Sequence, residues 1–358
     1  MHSFSSCLIL WQIQHGRHDL PWQDGDAYRV WLSEIMLQQT QVATVIPYYR
    51  RFVASFPTIT TLAAASEEQV LTHWSGLGYY ARGRNLHRAA QIIAGQYGGE
   101  FPRRFDQILE LPGIGRSTAA AICALAWHER RAILDGNVKR VLARYCGISG
   151  SPGEKEVEAR LWQQAEALLP KSEVAVYTQA LMDLGATVCI RSKPKCNDCP
   201  VRSNCVALQS GRVSELPTPR PRKAVPERNT TFLLLMSGRD ILLEKRPSSG
   251  IWGGLWCPPQ FDDEETAKDW FVRSGMEASH GERLETFSHT FTHFRLYITP
   301  LKIQLSRKPL RAAQPGSVWL DVEEALGAAI PTPVRSLLKE LRRGLPGSKL
   351  PFLSCQER

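Results

Sequence analysis

The sequence predicts two domains of different class: an all-α domain over residues 1–211 and a mixed α/β domain over 229–345. A basic, Pro-rich linker at 212–228 joins them, and a tail at 346–358 follows. Three observations carry this division. Apolar residues recur with helical spacing through the first part, and no alternating strand pattern of useful length precedes about residue 228. Residues 212–228 hold Pro217, Pro219, Pro221 and Pro226 among several Arg and Lys, too many prolines for a lasting helix or strand. Beyond them, 230–235 and 241–243 read as strands around a Ser237-Gly238 turn. A chain of 358 residues is long enough for two cores.

Taken in order, residues 8–20 have helical spacing and end at Leu20-Pro21-Trp22, where proline breaks the helix. Asp24-Gly25-Asp26 is a turn and cap. From Ala27, the residues Tyr28, Trp31, Leu32 and Ile35 fall at i, i+3, i+4 and i+7, an amphipathic helix with one buried stripe. Glu34 sits at the edge of that stripe, and if the helix continues, Glu34, Gln38 and Gln41 share a face. A carboxylate beside Trp31, Ile35 and Met36 is partly desolvated, which favours its protonated form and suits it to donate a proton near neutral pH. Periodicity alone favours the plainer reading, a Glu at the rim of a core helix. Further helices are predicted over 42–52, 59–64, 67–74 and 85–97. Gly78-Tyr79-Tyr80 puts two rings on a turn, where Tyr79 is either an ordinary exposed Tyr or a wedge between bases.

A short helical segment at 105–111 leads into Pro112-Gly113-Ile114-Gly115 and a helix over 116–127. Two glycines one residue apart permit a sharp turn. Feeding a helix N-terminus, such a turn is an anion site, and the order helix, hairpin, helix points to nucleic acid over a dinucleotide. The glycines by themselves fit a tight interhelical turn equally well. Asp135-Gly136-Asn137 opens the next helical run, and alone Asp135 is an ordinary N-cap. Helices follow over 154–169 and 174–185. On the second, Gln179 and Asp183 face the same way, as a polar helix face or as part of a pocket.

Cys189, Cys196, Cys199 and Cys205 form C-x6-C-x2-C-x5-C. Nine cysteines is an odd count, no secretory signal precedes the first helix, and no run of 18 apolar residues suggests a membrane span. A reducing cytoplasm is expected, where clustered cysteines are metal ligands sooner than disulfides. Zinc sites pair two short knuckles across a longer gap, whereas this run has a single C-x2-C; spacing alone leaves zinc and an iron–sulfur cluster both open. Arg191, Lys193, Lys195 and Arg202 stud the same loop and suit phosphate contacts. The formal charge of +9 gives weak support to a polyanionic partner. The remaining cysteines, Cys7, Cys123, Cys146, Cys257 and Cys355, have no such spacing and are read as structural. In the second domain a strand is predicted at 317–320 and helices near 264–273 and 333–342.

LPGIGRSTA at 111–119, ILDGNVKRVLAR at 133–144, WLSEIMLQQTQVATVIPYY at 31–49 and GLGYYARGRNL at 76–86 together resemble the helix-hairpin-helix iron–sulfur DNA glycosylases, and within them the adenine-excising MutY type. The resemblance covers nearly all of the chain. It implies an N-terminal all-α helix-hairpin-helix glycosylase domain with an iron–sulfur loop and a C-terminal mixed α/β Nudix-like domain. It implies that adenine mispaired with 8-oxoguanine or guanine is flipped out of double-stranded DNA and hydrolysed off, leaving an abasic site for base excision repair. Glu34 would protonate adenine, Asp135 would stabilise the sugar cation and Asn137 would orient the site. Gln38, Gln39, Thr40, Tyr79, Leu111, Gly113, Gly115, Ser117 and Gln179 would meet substrate or DNA, and the four spaced cysteines would hold a [4Fe-4S] cluster.

Ser117 stands where bifunctional relatives carry a Schiff-base lysine, which implies weak or absent strand cleavage. Gly250-Ile251-Trp252-Gly253-Gly254-Leu255-Trp256 matches the Nudix-like domain, and no magnesium box follows it, which argues against a nucleotide hydrolase. In the family a Phe-Ser-His element reads the lesion. Here Phe291-Thr292-His293 is favoured, with Phe287-Ser288-His289 four residues earlier as the alternative. The expected protein is a bacterial, cytoplasmic, nucleoid-associated monomer with no membrane partner. A non-catalytic DNA-binding scaffold is the competing class, and it would need no acid at 34 or 135.

Overall fold

The computed structural model describes residues 3–219, 224–307 and 316–344; the tail expected at 346–358, with Cys355, lies outside them. The helices of the first part are α1 (Phe4–His15), α2 (Ala27–Leu37), α3 (Val42–Ser55), α4 (Ile59–Ala64), α5 (Glu67–Trp74), α6 (Ala81–Gln96), α7 (Phe105–Leu109), α8 (Arg116–Trp127), α9 (Gly136–Tyr145), α10 (Lys155–Ala167), α11 (Val174–Asp183) and α12 (Val206–Gln209). The second part runs β1 (Glu227–Ser237), β2 (Asp240–Lys245), β3 (Trp256–Cys257), β4 (Gln260–Phe261), α13 (Glu264–Arg273), β5 (Ala278–Arg283), β6 (Phe287–Thr290), β7 (Arg295–Leu305), β8 (Ser317–Asp321), α14 (Val322–Gly327) and α15 (Thr332–Gly344). An all-α part followed by a mixed α/β part is the predicted fold class.

By contacts the chain divides into two compact units: Met1–Ala65 with Arg84–Arg222, and Ser66–Gly83 with Lys223–Arg358. One cut falls inside the Pro-rich linker. The other takes 66–83 away from the helical unit, which periodicity does not signal because α5 has the pattern of any amphipathic helix.

The helical unit is organised by small and branched apolar residues. Ala120, Ala121 and Ala124 of α8 let Leu8 of α1, Val138 and Leu142 of α9, and Tyr177 and Leu181 of α11 pack into one buried cluster. Of the boundaries that differ from the periodicity reading, three bear on the site. The first helix starts at Phe4, capped by the Ser3 hydroxyl accepting from the Ser6 N–H, and stops at Gly16. The second ends at Leu37: Gln38 leaves helical geometry and Gln39 is left-handed at φ 58°. Glu34, Gln38 and Gln41 therefore do not share a continuous helical face, and Gln41 instead precedes α3 as its N-cap. The third is at the end of α11, which passes into a π-helical turn, Leu184–Val188, that delivers the chain to Cys189.

The second unit is an eight-stranded sheet of order β3-β2-β1-β7-β5, with β4 on β1, β6 on β7 and β8 on β2. The central pair, β1 and β7, is parallel from Glu227↔Arg295 to Met236↔Gln304. Along β1, Thr230 to Met236 are all buried, and from Phe232 on they form the continuous apolar run of a strand covered on both faces. Leu233 and Leu235 meet Leu301, Ile303 and Leu305 under Trp270 and Phe271 of α13.

Candidate active site

Two carboxyl groups from different helices face one cleft of about 1080 Å³, at the upper end of small-molecule sites and roomy enough for an extruded nucleotide. Glu34 comes from the third turn of α2, where Trp31, Leu32, Ile35 and Met36 are buried around it. Asp135 is the N-cap of α9, extended at φ −78° and ψ −179°, and its Oδ1 accepts the Val138 N–H at 2.7 Å. Both carboxyls are held above their usual range. For Glu34 the cause is first burial and then the nearby Asp135 charge, and its pKa rises to about 8. For Asp135 burial raises it, while backbone N–H groups of Val138 and Asn137 and the charges of Arg140 and Lys139 oppose the rise. Two close carboxyls cannot both ionise cheaply, and those N–H groups and cations set the order: Asp135 ionises before Glu34, which keeps its proton at neutral pH.

The cleft gathers Gln38, Gln39, Thr40, Ser117, Asn137 and Gln179 with the two carboxyls. Gln39 holds its left-handed backbone without being glycine, a strain of about 1–3 kcal/mol of the sort found where a loop must present a side chain. Ser117 Oγ accepts the Leu134 N–H at 2.9 Å, so it ties the start of α8 to the segment just ahead of Asp135. The hairpin before α8 is set by its own alternation: Leu111 and Ile114 are buried, Gly113 and Gly115 exposed. Gly113 sits at φ 81°, and a Cβ there would come within 3.0 Å of Asn85 Cβ. Leu111, Gly113 and Gly115 belong to this hairpin and are not among the residues lining the cleft.

Beyond the Gln179–Asp183 spacing, the partners of several groups in this region carry no sequence signal, because they lie far apart in the chain. Asp183 is fully buried and accepts from Arg17 Nε at 2.9 Å, Arg17 Nη2 at 2.6 Å, Gln12 Nε2 at 3.0 Å and Gln179 Nε2 at 2.8 Å. Asp183 thereby fixes the direction in which the Gln179 amide lies along the cleft wall. Arg140 donates to Asn137 Oδ1 at 2.8 Å, to the Gly185 carbonyl at 2.6 Å and to the Cys189 carbonyl at 2.8 Å. It therefore bridges the mouth of α9 and the cysteine loop.

Cys189, Cys196, Cys199 and Cys205 are free thiols lining one cavity. Arg144, 4% exposed, closes it, donating to Cys189 Sγ at 3.4 Å, to the Ile190 carbonyl at 2.7 Å and to the Leu216 carbonyl at 2.8 Å. Among the described residues no three His, Cys, Asp or Glu side chains converge as a single ion requires. An all-thiol set lining one cavity, with a buried guanidinium beside it, fits an anionic, thiolate-ligated metal group.

In the second unit Thr292 and His293 are exposed at the tip between β6 and β7, closed by the Phe291 N–H to the Phe294 carbonyl at 2.8 Å. Phe291 anchors the tip: it stacks on Phe294 at 4.6 Å and meets His289 and Trp252 at 4.8 and 5.5 Å between centroids. Ser288 of the alternative triplet lies within β6, opposite Tyr297. Tyr79 is 47% exposed and left-handed at φ 48°.

A glycine hairpin, a capping aspartate and a thiol-lined loop in one helical unit are the features on which the chain resembles the helix-hairpin-helix base-excision proteins. The family described as HhH-GPD superfamily base excision DNA repair protein matches residues 32–167, and a NUDIX domain matches 230–340. The adenine DNA glycosylase of Buchnera aphidicola subsp. Acyrthosiphon pisum (strain APS) is 38% identical over 344 residues, 96% of this chain and 98% of the relative. That of Homo sapiens is 34% identical over 411 residues, 97% of this chain and 75% of the relative. A solved thermostable thymine-DNA glycosylase is similar at TM-score 0.53 and 30% identity, over 58% of this chain and 95% of that one. The chain belongs to the adenine DNA glycosylase family.

Proposed function

We propose that this protein removes adenine paired with 8-oxoguanine or guanine in double-stranded DNA by hydrolysis of the N-glycosidic bond, leaving an abasic site. The observation that carries the reading is the asymmetric carboxyl pair: Glu34, which keeps its proton at neutral pH, beside Asp135, whose ionised form backbone N–H groups favour against its burial. Adenine leaves poorly as an anion, so Glu34 protonates it at N7 once the base is extruded. The sugar then develops cationic character, and the Asp135 carboxylate stabilises it as the second carboxylate does in glycoside hydrolysis. Asn137, steadied by Arg140, orients the pocket, and the Gln179 carbonyl accepts from the adenine amine. Ser117 has no amine to form a Schiff base and is committed to Leu134, which supports a monofunctional enzyme with weak or no strand cleavage.

The four cysteines hold a [4Fe-4S] cluster in this reading; when bound it supplies a rigid cross-link for the loop that carries Arg191, Lys193, Lys195 and Arg202 toward phosphates. Thr292 reads the lesion, Tyr79 wedges into the opened stack, and the protein acts as a monomer in the bacterial cytoplasm at the nucleoid. The test is the pH profile of single-turnover adenine release. Excision should fall as pH rises through about 8, where Glu34 loses its proton, and again on the acid side where Asp135 gains one. A profile flat between pH 6 and about 9 would remove Glu34 from the acid role.

A further inference from the structure

Residues 66–83 are anchored to the sheet-bearing unit by polar contacts that helical periodicity does not foretell. Glu68 accepts the Trp256 indole N–H at 2.6 Å and pairs with Lys245 at 3.3 Å. Ser75, 7% exposed, donates to the Ile330 carbonyl at 2.6 Å and accepts from Arg335 Nη2 at 2.8 Å. The backbone of Gly254 comes so near that a Cβ there would lie 3.0 Å from Glu67 Oε1 and 3.2 Å from Leu71 Cδ1. At the far end of the segment, Tyr79 Oη and Thr292 Oγ1 are 3.2 Å apart. The turn between is stiffened from within, since both the Trp74 indole at 3.1 Å and Arg82 at 3.2 Å donate to the Gly78 carbonyl.

We propose that residues 66–83 are an arm of the second unit that places Tyr79 and Thr292 on one rigid reader, so that recognising the lesion and wedging the stack are a single event. Glu68 and Ser75 are the positioning residues that hold the arm. This deepens the proposed function and rests on its assignment of lesion reading to Thr292 and wedging to Tyr79. Loosening the arm should uncouple the two events: adenine excision from A:G persists, but 8-oxoguanine no longer promotes wedging.

The test uses the full chain and duplexes with 2-aminopurine beside the mispair, whose fluorescence rises when the stack opens. In the wild type, 8-oxoguanine should raise this signal over guanine. In the Glu68→Ala, Ser75→Ala double variant the lesion-dependent rise should vanish and the preference for A:8-oxoguanine should drop about 5- to 100-fold, the range of a coupling between sites. Excision from A:G should stay within about twofold of wild type, since the coupling alone is lost. If the double variant melts below the assay temperature, Glu68→Gln, which keeps the side chain's size and an acceptor for the Trp256 indole N–H but loses the charge that pairs with Lys245, should show the same uncoupling in milder form. A double variant in which the lesion still drives wedging as in wild type would overturn the arm. A wild type whose signal ignores the lesion would instead sink the lesion reading itself, and the arm with it, as nothing would be left to transmit.

Discussion

Glu34 and Asp135 owe their different states to what surrounds each carboxyl. Glu34 has burial and a neighbouring negative charge, both favouring the neutral acid; Asp135 has a cap hydrogen bond and two cations that resist the same burial. Glu34→Gln should keep duplex binding and lose adenine excision by about 10² to 10⁴, the usual worth of a general acid. The same variant makes a stability prediction. Because the folded pKa of Glu34 lies above its unfolded value of 4.5, the wild type loses stability as pH rises from there to about 8, and an amide does not titrate. The melting advantage of Glu34→Gln should therefore grow between pH 5 and 8, by at most about 1.4 kcal/mol per pH unit, and level off above. Circular-dichroism melts at matched ionic strength would measure it. Both carboxyls were legible in the sequence, Asp135 as a cap and Glu34 as an odd acid at an apolar rim. Their juxtaposition was not, since a helical wheel says nothing about what faces it from another element.

Among the elements, the junctions were harder to read than the helices. Periodicity places the start of α2 and both ends of α8 to the residue, but it carries α2 on through Gln38 and α11 through Gly185. The π turn after Asp183 is set by tertiary contacts: Arg140 holding the Gly185 carbonyl, and Gly185 lying against Asn137. A Cβ on Gly185 would fall 2.6 Å from Asn137 Cβ. Gly185→Ala should thus destabilise the fold by about 1–3 kcal/mol, although Ala is the better helix former, and should slow excision more than it weakens DNA binding. Denaturant melts and single-turnover rates would check both. For the cysteine loop, protein purified anaerobically without added metal should be brown, with iron and sulfide near four each per chain in line with a four-iron cluster. Stoichiometric zinc would overturn that reading.

For the whole molecule, the two fold classes follow from patterning and the Pro-rich linker, while the assignment of 66–83 to the second unit follows from buried contacts of Ser75 and Glu68 with residues far along the chain. Catalysis is assigned to the helical unit and lesion reading to the sheet-bearing one, and the account stands or falls on the reaction itself. Its most direct test is to incubate the purified chain with a duplex holding one A:8-oxoguanine pair and then treat with alkali. The account predicts strand scission at the adenine only after alkali, faster than for A:G and absent for Glu34→Gln. An adenine left in place in the wild-type reaction, or a Glu34→Gln protein that removes it at the wild-type rate, would contradict it.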